Sequence, residues 1–216
     1  MLWAIFIVGG FLAGSLMFSR WIPLLFQKRD VAMMSEDKNP GAFNAFRFCG
    51  APIGMLCLIF DLAKGAIPAY LAARWLDVFD LRFALVMAAP VLGHAIAPLS
   101  AFKGKCISVS FGVLIGLIPT SWFGFILAGI FFLLMFVVKI RPHSRLSIFS
   151  FLLFFLLSAP VELLLYRRFA IWIGAVLMST IAVIRHIPTY KREMADLRAA
   201  RREEQAEAEK AGVTEQ

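Results

Sequence analysis

Apolar residues in this chain neither alternate nor form a single helical stripe; they come in unbroken runs. GFILAGIFFLLMFVV at 124–138 is typical. A strand of a membrane barrel would alternate polar and apolar residues, so such runs exclude a barrel. They suit helices that cross a bilayer, each needing about 17–25 residues. Seven such spans are expected, at about 2–19, 50–73, 83–100, 107–120, 122–138, 147–165 and 169–185. The first has no positively charged leader and other spans follow it, so it reads as a transmembrane helix and not as a cleaved signal. Pro90, Gly93 and Pro98 are expected to interrupt the third span, and Pro119 to end the fourth. Irregular backbone at membrane depth is tolerated only where protein or a watery cavity covers it. A pocket is therefore expected near that interruption.

Composition agrees: 61% of the 216 residues are hydrophobic and 17% charged, against about 25% charged in a soluble domain. The fold class is an all-α polytopic membrane protein. Positive charge sets its orientation. With the C-terminus in the cytoplasm, 17 of the 22 Lys and Arg lie inside, four outside, and Lys64 falls within a span. That is an N-out, C-in arrangement, and this bias explains the +8 net charge without any nucleic acid. Residues 1–190 then form the membrane domain and 191–216 a charged cytoplasmic tail, Ala-, Glu- and Arg-rich, expected to be a solvated helix. Cys49, Cys57 and Cys106 show neither disulfide nor zinc spacing.

The polar residues gather in four clusters, all on the cytoplasmic side. SEDKNPGAFNAFR at 35–47 holds a Pro-Gly pair suited to a tight turn, two amides, and Arg47 three residues beyond Asn44. FDLAKGAIP at 60–68 puts Asp61 and Lys64 on one helix face inside an apolar run, each costing about 2.5–3.5 kcal/mol if unpaired at mid-span. A structural ion pair and a functional site are both open there, and Gly65 with Pro68 suggests a close backbone approach and a bend. GHAIAPLSAFKGKC at 93–106 brings a histidine and two lysines to the start of the next helix, an arrangement suited to phosphate. IRHIPTYKR at 184–192 adds Arg185 and His186. Together they describe a basic, amide-rich pocket between cytosol and lipid, where a soluble anion could meet an acyl chain.

The order GS, KNPGAFNAFR, D-x-x-KG-x-x-P, GH with FKGK, and RH resembles the bacterial PlsY family from about Gly14 to His186. These are membrane acyltransferases that pass an acyl group from acyl-phosphate to glycerol 3-phosphate. The resemblance implies a seven-helix fold in the bacterial plasma membrane, lysophosphatidic acid as product, and no metal or cofactor. It also leaves open contact with other enzymes of phospholipid synthesis. It assigns Asn39, Gly41, Asn44 and Arg47 to a first phosphate loop, Lys64 and Gly65 to a second motif, and His94, Lys103, Gly104 and Lys105 to a third. His186 belongs to the last motif and Ser15 to the opening one. Three positions depart from the pattern. Asp37 stands where a serine is usual, with Ser35 two residues too early. The FKGK segment is one glycine short, and Thr189 replaces an asparagine.

The candidate catalytic residues are therefore His94, His186 and Asn44. The candidate substrate-binding residues are Ser15, Ser35, Asp37, Asn39, Gly41, Arg47, Lys64, Gly65, Lys103, Gly104, Lys105 and Arg185. An acyl-phosphate is already activated, so no protein nucleophile is required and positioning of two anions carries the chemistry. The rival readings are a non-catalytic or substrate-shifted relative that binds lipid or phosphate, and a small-molecule transporter. A transporter would show polar sites spread through the membrane depth and weak internal repeats, and neither is visible.

Overall fold

The computed structural model describes residues 1–118 and 120–214; Pro119, the expected end of the fourth span, lies outside them. The described residues fold as ten α-helices: α1 (Leu2–Ser15), α2 (Phe18–Gln27), α3 (Val31–Met34), α4 (Ala42–Cys49), α5 (Ala51–Trp75), α6 (Arg82–Ile96), α7 (Ile107–Gly116), α8 (Gly124–Phe132), α9 (His143–Ala159) and α10 (Phe169–Thr214). Helices α8 and α9 continue into π-helical segments, Leu133–Val137 and Pro160–Leu165. No strand occurs among the described residues.

Three helical stretches are long and apolar enough to cross a membrane: Ala51–Trp75, His143–Leu165 and Phe169–Glu207. Helices α1 and α2 make a fourth if taken as one span bent by 41°. The apolar stretches of α6, α7 and α8 are shorter. Large apolar side chains such as Phe136 and Leu164 remain on the outside, as expected where lipid replaces water as solvent.

The expected interruption of the third span is corrected. Helix α6 runs through Pro90 and Gly93 without a break and stops at Ala97, whose φ is 46°. Those two residues serve close packing of α1 on α6. A β-carbon at Gly14 would lie 1.9 Å from the Pro90 carbonyl oxygen, and one at Gly93 2.0 Å from that of Phe11. In lipid, where burial between helices gives no hydrophobic gain, such backbone approach is a main source of association. Gly65 does the same for α5 and α7, since its β-carbon would meet the Val109 carbonyl oxygen at 2.4 Å.

The real break comes earlier. Leu16 and Met17 leave helical geometry (φ −72°, ψ 119° and φ −98°, ψ 66°) between α1 and α2, although Pro23 lies inside α2. The Leu16 carbonyl, freed from the helix ladder, accepts a hydrogen bond from Lys64 Nζ at 2.7 Å. The seventh expected span and the tail are one continuous helix, α10. Its segment just past the apolar part returns to the loop before α4, where Arg192 Nη1 donates to the Glu36 carbonyl at 3.2 Å.

Candidate active site

The two charges inside α5 find their partners at the base of the site. The Asp61–Lys64 pair lies at 2.7 Å with both side chains 2% exposed. Lys64 Nζ donates to the Leu16 carbonyl and to His94 Nδ1, the latter at 2.9 Å, while its charge faces Asp61 Oδ1 in the ion pair. Ser19 Oγ donates to the other Asp61 oxygen at 2.5 Å. Every charge is answered, so the network ties α1, α2, α5 and α6 together. It also sets the histidine: an ammonium can only donate, so Nδ1 accepts and the neutral ring carries its proton on Nε2.

His94 in turn holds the loop that follows α6. Its backbone carbonyl accepts the Gly104 N–H at 3.1 Å, and Arg185 Nε donates to the Gly104 carbonyl at 3.1 Å. The ring lies so close that a β-carbon at Gly104 would sit 1.9 Å from Nε2. Lys105 is thereby carried into the site. Cys106, which follows Lys105, opens α7 with φ 69°. That backbone geometry costs a residue with a β-carbon about 1–2 kcal/mol.

The loop before α4 differs from the tight turn expected at NPG. The turn lies at Ser35–Lys38, where the Lys38 N–H donates to the Ser35 carbonyl at 3.1 Å and Lys38 takes φ 48°. Gly41 is extended (φ −100°, ψ 159°) and caps α4. An added β-carbon there would lie 2.8 Å from Asn39 Nδ2 and would push the end of that side chain aside. Asn44 and Arg47 do share one short helix, α4. Asn44 Nδ2 donates to Asp37 Oδ1 at 3.1 Å and to the Asn39 carbonyl at 2.9 Å. Lys105 Nζ reaches Asp37 Oδ2 at 2.5 Å. Burial pushes the Asp37 carboxyl up, but the Lys105 hydrogen bond and charge, with the Asn39 and Asn44 donors, outweigh it and hold it below its ordinary range.

These groups wall a cavity of about 340 Å³. Of the residues the sequence singles out, Asp37, Asn39, Gly41, Asn44, Arg47, His94 and Lys105 line it. Ser15, Ser35, Lys64, Gly65, Lys103, Gly104, Arg185 and His186 do not. Ser15 and Ser35 are buried and bond to backbone carbonyls of their own segments, Phe11 and Ala32. Lys103 is exposed. His186 is fully buried, with neither ring nitrogen bonded among the described residues. The lining also contains residues the sequence reading missed: His143, stacked on Phe43 with ring centroids 5.0 Å apart, Ser144, which donates to Glu193, and Ser108. The signal was present in Pro142-His143-Ser144, a helix start beside a positive loop.

Three helix N-termini open on this cavity: α4 at Ala42 and Phe43, α7 at Ile107 and Ser108, and α9 at His143 and Ser144. Unpaired N–H groups and the positive end of the dipole make each favourable to an anion. Asn39 Oδ1 is buried there with no partner among the described residues, an acceptor left for a hydroxyl. A second cavity of about 450 Å³ shares Leu58, Ile107, Ser108 and Phe131 with the first and is otherwise lined by apolar side chains and glycine. A polar chamber thus abuts an apolar groove of α5, α7 and α8.

Comparison with known proteins gives the chain's family and fold. A family model of glycerol-3-phosphate acyltransferase matches residues 4–196. The glycerol-3-phosphate acyltransferase of Leptospira borgpetersenii serovar Hardjo-bovis (strain JB197) is 35% identical over 190 residues, covering 84% of this chain and 83% of the relative. That of Macrococcus caseolyticus (strain JCSC5402) is 30% identical over 193 residues, covering 88% and 92%. Crystal structures of PlsY (YgiH), an integral membrane glycerol 3-phosphate acyltransferase, share the fold. Its lysophosphatidic acid form has a TM-score of 0.76 and covers 91% of this chain and 93% of that one, at 22% identity. The glycerol 3-phosphate form has a TM-score of 0.77, with 91% and 94% covered, also at 22% identity. With the family model spanning nearly the whole chain and relatives this similar over most of their length, the chain belongs to the glycerol-3-phosphate acyltransferase family.

Proposed function

We propose that this chain transfers a fatty acyl group from acyl-phosphate to the 1-hydroxyl of sn-glycerol 3-phosphate, giving lysophosphatidic acid and phosphate. The observation that carries this reading is the junction of the two cavities: an anion-friendly chamber next to an apolar groove suits an acyl-phosphate, whose head is charged and whose tail is not. The hydroxyl oxygen attacks the carbonyl carbon, the bond from that carbon to the phosphate oxygen breaks, and the hydroxyl proton ends on the released phosphate. No enzyme-bound acyl group is needed. Lys105 and Arg47 hold phosphate charge, Asn39 and Asn44 orient the acceptor, and Lys103, exposed beside the site, attracts anions to it. His94 is a positioning residue, since Lys64 occupies its Nδ1.

The seven apolar stretches act as seven spans with the N-terminus outside and the C-terminus in the cytoplasm of a bacterial plasma membrane. That orientation puts the chamber where soluble glycerol 3-phosphate is found. Residues 1–190 are the catalytic membrane part and 191–216 a charged tail. The test is formation of lysophosphatidic acid by the purified protein from labelled glycerol 3-phosphate and palmitoyl-phosphate, beside an Arg47→Ala control. Product that depends on Arg47 supports the reading; a folded protein that makes none refutes it.

A further inference from the structure

The donors best placed for a substrate phosphate are already occupied by a carboxylate of the protein itself. Asp37 Oδ2 lies 2.5 Å from Lys105 Nζ, and Oδ1 accepts from Asn44 Nδ2 at 3.1 Å and from the Asn39 N–H at 3.2 Å. A lysine on one oxygen and two amide donors on the other would serve equally well for one edge of a phosphate. The remaining lining offers the three helix N-termini but no second lysine. Its other cation, Arg47, lies on the rim, 58% exposed and 3.9 Å from Glu36. Glu193 adds a further carboxylate. A phosphate dianion arriving with Asp37 in place therefore meets a negative charge where the lysine should be.

Resting on the acyltransferase reading of the site, the geometry points to Asp37 as an internal anion that fills the phosphate seat and must be displaced when substrate binds, so that it sets the enzyme's affinity for phosphate-bearing substrates. Room for displacement exists: the Asp37 side chain is 22% exposed and lies in the Ser35–Lys38 turn, outside any helix. A role as general base fits less well, because a carboxylate held in the ionised form by Lys105 has little affinity for the hydroxyl proton. The consequence is a specificity effect. A substrate with a dianionic phosphate competes with Asp37, and one with less charge there competes less.

The test is calorimetric titration of inorganic phosphate into the purified full-length protein, as wild type, Asp37→Asn and Asp37→Ser, each also with Lys105→Met. Asn is isosteric and keeps an acceptor for Asn39 and Asn44, so it removes charge and little else; Ser removes the charge and shortens the side chain. Both single variants are expected to bind phosphate at least about tenfold more tightly, equal to about 1.4 kcal/mol, with a matching fall in KM for glycerol 3-phosphate. In the Lys105→Met background most of that gain should vanish, because residues sharing one partner are not additive. Unchanged or weaker phosphate binding by both folded variants overturns the proposal, as does a gain that survives loss of Lys105. Phosphate binding is read without turnover, so the two readings separate. Tighter binding with no lysophosphatidic acid from any variant upholds the Asp37 seat and sinks the acyltransferase assignment. Product formation without tighter binding does the reverse.

Discussion

Gly104→Ala is the sharpest perturbation of the loop that carries Lys105. A β-carbon there would lie 1.9 Å from His94 Nε2, 2.4 Å from Cδ2 and 2.5 Å from Cε1, whereas ordinary contact begins at 3.4 Å. Ring and loop must therefore separate by about 1.5 Å. The ring has little freedom, being 5% exposed and bound through Nδ1 to Lys64 at 2.9 Å. The loop moves instead, straining the Gly104–His94 backbone bond and the Arg185 contact and shifting Lys105. Overpacking of this kind costs about 1–3 kcal/mol of stability, or about 2–12 °C in Tm for a chain of this length. A misplacement of about 1 Å in a positioning group costs about a hundredfold in rate. The assay is kcat/KM for glycerol 3-phosphate, with thermal unfolding in detergent measured alongside. Gly129→Ala is the control, since nothing lies within 4 Å of a β-carbon there. A Gly104→Ala enzyme with kcat/KM within about threefold of wild type and an unchanged Tm would refute the coupling of His94 to the lysine loop.

Other expectations follow from the same contacts. Lys64→Met leaves Asp61 buried and unpaired and should cost about 3–5 kcal/mol, much of it regained in Lys64→Met/Asp61→Leu; thermal unfolding of both variants checks this. Arg47→Ala should lower kcat/KM for glycerol 3-phosphate by about 10–100-fold, the worth of one charged hydrogen bond, while Ser35→Ala, which loses only a contact to the Ala32 carbonyl, should stay within about twofold. Ala128→Phe narrows the apolar groove and should depress rates with long acyl-phosphates more than with short ones, read as a ratio of kcat/KM values. Asp37 titrates below its ordinary 3.8, so the stability it contributes is complete above that pH and is lost as pH falls through its lower folded value. Unfolding midpoints should therefore fall less steeply on acidification in Asp37→Asn. Asp30, similarly lowered although burial opposes Arg20, leaves a residual slope.

The apolar runs were legible because a bilayer imposes length and polarity on each of them, and most helices begin within a few residues of the expected positions. The break between α1 and α2 was not. Leu16 and Met17 carry no local signal, and the bend is fixed by Lys64 taking the freed carbonyl, a contact 48 residues apart in sequence. Pro90 and Gly93 misled for the opposite reason. They are helix-breaking residues locally, but the backbone of α1 presses on that face and makes small size the deciding property. Asn44 and Arg47 share α4, as their spacing suggested. Whether Lys64 faces substrate or structure was undecidable without its three partners. Glu193 and Ser144 meet only because α10 continues past the apolar segment.

Counting lysines was also an incomplete guide to where an anion sits. The chamber's lining carries Glu36, Asp37, Asp61 and Glu193 against Arg47 and Lys105, and Asp61 is offset from beneath by Lys64. Side-chain charge alone would leave it slightly acidic. The three converging helix N-termini each contribute about half a positive charge, together comparable to the lysine that Asp37 neutralises. Helix α7 has ten residues, about 15 Å of rise against about 30 Å of hydrocarbon. The helical part of that span is therefore completed by irregular backbone, and the unpaired N–H groups at its start lie inside the protein, where they need a partner. In α7, as in α4 and α9, those groups face the chamber, so the irregular backbone that a membrane would otherwise penalise becomes the fixed part of the anion site. In the proposed acyltransferase site Lys105 and Arg47 are its adjustable part, and a single carboxylate at position 37 is expected to change what the site will hold.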